Sequence, residues 1–178
     1  MQVRPYSAQA EGAVLEFARS VSAEDRNFLK EDAADPGVLH AWSNPSSVQR
    51  FLAWSDDKVD GYVALHPLRG WCDHVAEMRV LVASEARGHG IGQLLVHQAI
   101  AAAVQSGIAK VVTEVIAEHD QTVGMLQANG FVPEALLVDH VRDRTGHLRD
   151  LLVMTCRTDE MVDQLTVVGF EEALDLGV

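Results

Sequence analysis

SEARGHGIGQLL, from Ser84 to Leu95, carries glycine at three alternate positions between two different sequence periodicities. The residues before it alternate as in a strand, and the residues from Ile91 onward have the apolar spacing of a helix. Glycine weakens a helix start, so its repeated use here indicates that a ligand approaches the backbone closely. The unpaired amides of a helix N-terminus suit an anionic group such as a phosphate.

Two familiar phosphate loops do not fit this stretch. A dinucleotide fingerprint needs G-x-G-x-x-G, but Gln93 stands where the third glycine should follow Gly88 and Gly90. A nucleoside-triphosphate loop needs Gly-Lys-Ser or Gly-Lys-Thr, and neither occurs in the sequence. The remaining pattern is R-x-x-G-x-G, formed by Arg87, Gly90 and Gly92.

This pattern, in the order strand, loop, long helix, strand, short helix and Gly-Phe, resembles the GCN5-related N-acetyltransferases. The resemblance runs from about Gln49 to Thr155 and includes Gly130 and Phe131 at the end of LQANGF. The strand before the loop resembles the branch that contains bacterial protein lysine acetyltransferases. The resemblance implies acetyl-CoA as acyl donor and an amine, on a small molecule or a protein, as acceptor.

The resemblance also implies where the donor lies. The backbone amides from Arg87 to Gly92 would hold the pyrophosphate, and Leu81 and Val82 would pair with the pantetheine arm. Arg87 and His89 would add positive charge, although His89 also fits an ordinary exposed loop residue. His119, which begins the second helix after the loop, would contact the pantetheine or only cap that helix. The expected donor contacts are Leu81, Val82, Arg87, Gly88, His89, Gly90, Ile91, Gly92, Gln93 and His119.

Glu77 is the expected catalytic base. An alkylammonium must lose a proton before it can attack a thioester. Strand alternation puts Glu77 on one face with Arg79 and Leu81, and the resemblance assigns a base to this glutamate position. The alternative is an ion pair with Arg79, which would lower the pKa of Glu77 and weaken it as a base.

The general acid is not assigned by the sequence. Leu126 stands where many relatives have a tyrosine that protonates the leaving thiolate. Tyr62, His119 and Cys72 are alternatives, and water can protonate a thiolate whose pKa is that of an ordinary thiol. A covalent route through Cys72 is disfavoured, because both cysteines are expected to be buried and inert. No metal-ligand motif occurs among the eight histidines.

The pattern predicts an α/β (α+β) fold with a mixed, mainly antiparallel sheet flanked by helices. The sheet is expected to splay between the strand ending near Val82 and the strand beginning near Lys110. Residues 1–158 would form the acetyltransferase domain, and residues 159–178 a helical extension that packs on it, closes over the site or makes a homodimer. Helices are expected over 7–26 and near 24–33, followed by a loop-rich stretch whose short helices are broken by Pro36 and Pro45.

Charge and composition narrow the partners. The net charge of −12 disfavours nucleic acid and anionic membranes, and it either favours cationic partners or only keeps the protein soluble. No membrane span or secretory signal is recognisable, so a cytoplasmic protein is expected. The basic residues of 142–149 are interleaved with acidic ones, as in a solvated hairpin, or reach the donor's adenine end or a partner subunit. A coenzyme-binding sensor without catalysis is the alternative function.

Overall fold

The computed structural model describes every residue except Phe28, Pro45 and residues 160–178. Seven strands form one sheet in the order β1-β2-β3-β4-β5-β7-β6, and every neighbouring pair is antiparallel except β4 and β5. The mixed, mainly antiparallel sheet expected from the sequence is confirmed. The strands are β1 (Gln2–Pro5), β2 (Gln49–Ser55), β3 (Lys58–Pro67), β4 (Val75–Val82), β5 (Lys110–Ile116), β6 (Val132–Arg142) and β7 (Leu148–Arg157).

Helices cover both faces of this sheet. A Cβ on Gly61 of β3 would lie 2.8 Å from the Leu95 side chain, so this glycine lets the long helix α4 pack closely on one face. The next residue, Tyr62, points to the opposite face and stacks on Trp42 of α3, with ring centroids 5.1 Å apart. The helices are α1 (Glu11–Ser20), α2 (Ala23–Asn27), α3 (Pro36–Trp42), α4 (Ile91–Gln105) and α5 (Asp120–Ala128).

The N-terminal elements differ from the predicted ones. The helix predicted over 7–26 is divided, because the chain leaves α1 at Val21 and Ser22 then accepts the amide of Asp25 as a cap for α2. Pro36 begins α3 rather than breaking it, since Asp35 caps the helix and a proline at the first helical position loses no hydrogen bond. Strand β1 was not predicted.

The sheet opens between β4 and β5. These parallel strands pair only at Val75–Glu77 with Lys110–Val112. One residue further along each strand, the Thr113 hydroxyl donates to the Met78 carbonyl oxygen at 3.0 Å, and no further register pairs follow. The splay predicted at this place is confirmed, and among the described residues no strand pairs with that side of β4 next to the glycine loop.

The remaining fold predictions have mixed outcomes. Cys156 is buried, but the prediction that Cys72 is buried is wrong, because Cys72 lies in an exposed 3₁₀ turn between β3 and β4. No helix within residues 1–27, 29–44 and 46–159 is long and apolar enough to cross a membrane. The helix predicted over residues 159–178 lies, from residue 160 onward, outside the described residues.

Candidate active site

The glycine loop connects β4 to α4 with two residues in the left-handed region. Gly88 has φ +78° and Gly90 has φ +81°, and a Cβ on either would point into open space. Glycine is therefore favoured at these two positions by the backbone conformation and not by close packing. Gly90 is the residue that caps α4, so the unobstructed surface lies directly at the N-terminus of the longest helix that the structure describes.

The loop presents a run of unpaired amides. None of the backbone N–H groups from Gly88 to Gln93 donates to an acceptor in the described part of the chain, whereas the Leu94 amide donates to Gly90 at 3.0 Å. The Arg87 amide, expected to belong to this run, already donates to the Ser84 carbonyl at 3.4 Å. Unpaired amides at a helix N-terminus, where the helix dipole is positive, attract an anion.

The two basic side chains of the loop make internal contacts. Arg87 donates to the Val82 carbonyl at 3.1 Å and pairs with Asp25 of α2 at 2.9 Å. The Nδ1 atom of His89 lies 2.9 Å from the Arg87 carbonyl, and its ring is exposed. The positive charge of Arg87 is thus partly neutralised, and the backbone is the main attraction for an anion here.

The edge of β4 that faces the gap has no strand pairing beyond Glu77. The Met78 carbonyl points to β5, where Thr113 binds it, and the Val82 carbonyl points the same way to Arg87. Because peptide groups alternate along a strand, the amide and carbonyl of Val80 also face the gap. Leu81 directs its peptide groups to β3 and its side chain, which is buried, to the face of Glu77.

Glu77 lies at the point where the strands separate, and it is paired. Arg79 donates to both carboxylate oxygens, at 3.0 and 3.1 Å, and the Lys30 ammonium lies 2.8 Å from Oε1. Burial of Glu77 disfavours its charge, but the hydrogen bonds from Arg79 and Lys30 outweigh that effect and lower its pKa to about 2. The ion pair expected as the alternative to a base is therefore present.

Glu114 is a second carboxylate beside Glu77, and it was not predicted from the sequence. Glu77 is paired in register with Val112, so Glu114, two residues further on β5, shares its face of the sheet. The Lys30 ammonium lies 3.0 Å from Oε2 of Glu114 and thus bridges the two glutamates. The alternation of β5 places Glu114 on one face with Lys110, Val112 and Ile116, and only the register shows that Glu77 shares this face.

A pocket opens beside Lys30, between the segment from α2 to α3 and the turn from β6 to β7. Its volume is about 310 Å³. It is lined by Ala23, Arg26, Lys30, Glu31, Asp32 and Arg144. A larger cavity of about 780 Å³ lies beside the glycine loop near Lys58 and His89, and Glu77 does not line it. Lys30, which bridges the two glutamates, thus lines an opening on the surface.

The residues considered for the general acid lie in different environments. The Tyr62 phenol is 1 % exposed, and burial raises its pKa further above the usual value. Leu126 is buried in the core, so its position offers no proton. His119 precedes α5 and is exposed, and Cys72 lies in the exposed turn before β4. Of these residues, only Tyr62 shares the sheet face of Glu77.

The chain is similar to known proteins in its sequence and in its fold. Residues 14–131 match the model of the Acetyltransferase (GNAT) family. The fold is similar to a GCN5-related N-acetyltransferase from Kribbella flavida, with 27 % identity, TM-score 0.72, and coverage of 88 % of this chain and 96 % of that one. It is also similar to a ribosomal-protein-alanine N-acetyltransferase from Brucella melitensis, with 23 % identity, TM-score 0.76, and coverage of 88 % and 99 %. No curated protein sequence matches the chain significantly.

Proposed function

Because this chain belongs to the acetyltransferase (GNAT) family, we propose that it transfers the acetyl group of acetyl-CoA directly to a primary amine. One observation carries the proposal: the gap between β4 and β5 has unpaired loop amides at one end and two glutamates at the other. An anionic donor and a cationic acceptor thus have complementary places along one cleft.

The donor side follows from the backbone. The amides from Gly88 to Gln93 bind the pyrophosphate, with Gly90, Ile91 and Gly92 at the helix start. The peptide groups of Val80 and the N–H of Val82 face the gap and bind the amide groups of the pantetheine arm, which lies against the β4 edge. Leu81 and His119 flank this arm. The donor enters as a substrate, and these contacts direct its thioester toward Glu77.

The acceptor side is built by Glu77 and Glu114. Two carboxylates hold an alkylammonium between them, as they now hold that of Lys30. Glu77, the proposed base, takes the amine proton directly or through water. Its lowered pKa makes it a weak base while Arg79 and Lys30 are bound, so Glu114, paired in the described structure with Lys30, is the second candidate for this step.

The transfer itself is then an ordinary addition and elimination. The neutral amine nitrogen attacks the thioester carbonyl carbon, a C–N bond forms and the C–S bond breaks. The nitrogen loses its remaining extra proton, which passes through water to the departing thiolate of coenzyme A, since Leu126 offers no acid. The products are an amide and free coenzyme A.

The test is release of coenzyme A thiol over a panel of polyamines, amino acids and peptides with free α- or ε-amines. We expect Glu77→Gln to lower kcat by roughly a hundredfold with little change in the KM for acetyl-CoA. Glu134→Gln, which removes the carboxylate of an ion pair with Lys110 on β5, is the matched control and should leave kcat unchanged. Full turnover by the Glu77 variant at saturating substrate would exclude Glu77 as the base.

The competing function is a sensor that binds acetyl-CoA without chemistry. The paired Glu77 and the buried Leu126 favour it. Both functions predict that acetyl-CoA stabilises the chain, because any ligand of the folded state does so. Donor binding without thiol release on the whole amine panel would support the sensor and reject the transferase.

A further inference from the structure

The ammonium of Lys30 occupies the place that the proposed function gives to an acceptor. Its Nζ lies 2.8 Å from Glu77 and 3.0 Å from Glu114, at the point where β4 and β5 separate. A primary amine on an unbranched alkyl chain is thus already held between the two groups that would take its proton. We propose that Lys30 is an acetyl acceptor of the chain's own reaction; this inference rests on the proposed function.

The backbone holds Lys30 in this position. Leu29 is buried in the core, and its carbonyl oxygen accepts a hydrogen bond of 2.6 Å from Arg79. Lys30 itself has φ +56°, a left-handed conformation that costs a residue with a side chain about 1 kcal/mol and persists only where the surroundings hold it. Its amine is therefore presented by an anchored segment and does not reach the glutamates by chance from a free terminus.

An ion pair alone would not single out Lys30. The sequence contains only two other lysines, and both also pair with glutamates, Lys58 with Glu85 at 2.9 Å and Lys110 with Glu134 at 2.7 Å. The difference lies in the partners, because only those of Lys30 flank the gap where the thioester is proposed to lie. Lys58 and Lys110 are thus internal controls within the same chain.

The step balances without any further reactant. The Lys30 ammonium gives one proton to Glu114 or Glu77, and its lone pair attacks the thioester carbonyl carbon. The new N–C bond forms as the C–S bond breaks, and the nitrogen gives up its second proton through water to the departing thiolate of coenzyme A. The product is an Nε-acetyl-lysine. Its neutral amide no longer pairs with the carboxylates, so both glutamates become available to an external amine.

The experiment follows acetylation of the purified full chain with isotopically labelled acetyl-CoA, by mass spectrometry of its peptides. We expect label at Lys30 to appear roughly tenfold or more faster than at Lys58 or Lys110, at a rate independent of protein concentration. Spontaneous acetylation that follows exposure predicts Lys58 first, at 56 % exposed, then Lys30 at 44 % and Lys110 at 32 %. The double variant Glu77→Gln/Glu114→Gln should lose the preference for Lys30.

The outcomes separate the two proposals. Thiol release with external amines while Lys30 stays unlabelled overturns this inference and leaves the proposed function intact. Equal labelling of all three lysines, or labelling of Lys30 that survives in the folded double variant, also overturns it. Absence of both labelling and thiol release overturns the two together. Lys30→Arg keeps the positive charge and should remove the labelled peptide, which confirms the assignment of the site.

Discussion

Arg79 joins strand β4 to the segment that carries Lys30, because its Nη1 donates to the carbonyl oxygen of Leu29 at 2.6 Å. The same guanidinium makes two hydrogen bonds to Glu77. One side chain therefore fixes both the carboxylate and the backbone that brings an ammonium to it. The orientation of Glu77 and the position of Lys30 are coupled through this contact.

Arg79→Gln should lower the free energy of unfolding by about 2–4 kcal/mol, because it leaves the partly buried Glu77 with one cation fewer and the Leu29 carbonyl without its donor. Arg4→Gln is the control, since Arg4 donates only to the exposed Gln2 side chain and lies 6.0 Å from the Trp54 ring centroid, and its loss should cost less than about 1 kcal/mol. Urea unfolding measures both variants. Equal losses would mean that Arg79 has no special structural role.

The pairing of Glu77 predicts acid sensitivity. Its pKa falls from 4.5 to about 2 in the folded chain, so between these values the unfolded state binds the proton and the folded state does not. Stability from this group is therefore complete above about pH 5, amounts to about 2 kcal/mol, and is lost as the pH falls toward 2. In Glu77→Gln the decline between pH 4.5 and 2 should become shallower. Unfolding free energies measured across this range would contradict the pairing if the two curves stayed parallel.

A second loss of stability, at higher pH, is expected from His66, which lies opposite Glu77 on β3. Burial and the nearby charges of Arg79 and Arg50 lower its pKa from 6.5 to about 4. Between these pH values His66 is protonated in the unfolded chain and neutral in the folded chain. The free energy of unfolding therefore falls by about 1–2 kcal/mol as the pH drops from 6.5 to 4. His66→Gln should flatten this range only, and an unchanged slope there would show that His66 is not responsible.

The two tyrosines offer a matched comparison, since both rings contact Trp42. The Tyr6 hydroxyl donates to the Leu39 carbonyl at 3.1 Å, whereas the buried Tyr62 hydroxyl has no hydrogen-bond partner among the residues that the structure describes. We expect Tyr6→Phe to cost about 1 kcal/mol and Tyr62→Phe to be neutral or slightly stabilising in thermal unfolding. A fall in kcat for Tyr62→Phe would instead identify this phenol as the missing acid.

Alanine substitutions at two glycines of the loop should have opposite effects on stability. Gly90→Ala places a side chain at φ +81°, which should cost about 1 kcal/mol and weaken acetyl-CoA binding through the added methyl group. Gly92 has an ordinary φ, and a Cβ there would lie 3.6 Å from Met125 and 3.8 Å from Val82, which are normal contacts. Gly92→Ala should therefore stabilise α4 by about 0.5–1 kcal/mol. Thermal unfolding and calorimetric titration measure the two effects, and the reverse order of stability would refute this account.

The sequence predicted the part of the fold in which local signals agree. The alternation of β4, the glycines and the apolar spacing of α4 indicated one strand-loop-helix unit, and the structure contains it. Strand β1 was missed because its four residues include Arg4 and Pro5 and show no apolar alternation. It exists because it pairs with β2, which is a tertiary effect.

The candidate site was predicted only where it is local. Glu77 and the loop lie within one short stretch, so their relation can be seen in the sequence. Glu114 and Lys30 are brought to Glu77 by the register of β5 and by the contact of Leu29 with Arg79, neither of which leaves a local pattern. The catalytic role of Glu77, homodimer formation and cytoplasmic location stay predictions.

The loop before α4 offers peptide hydrogens where many anion sites offer charged side chains, and Arg87 is already engaged by Asp25. Every residue except proline supplies such a hydrogen, whatever its side chain. Under the proposed function, the donor is therefore recognised mainly by the backbone conformation of the loop. We expect most other residues of the loop to be exchangeable without loss of donor binding, provided that the left-handed conformations at Gly88 and Gly90 are kept.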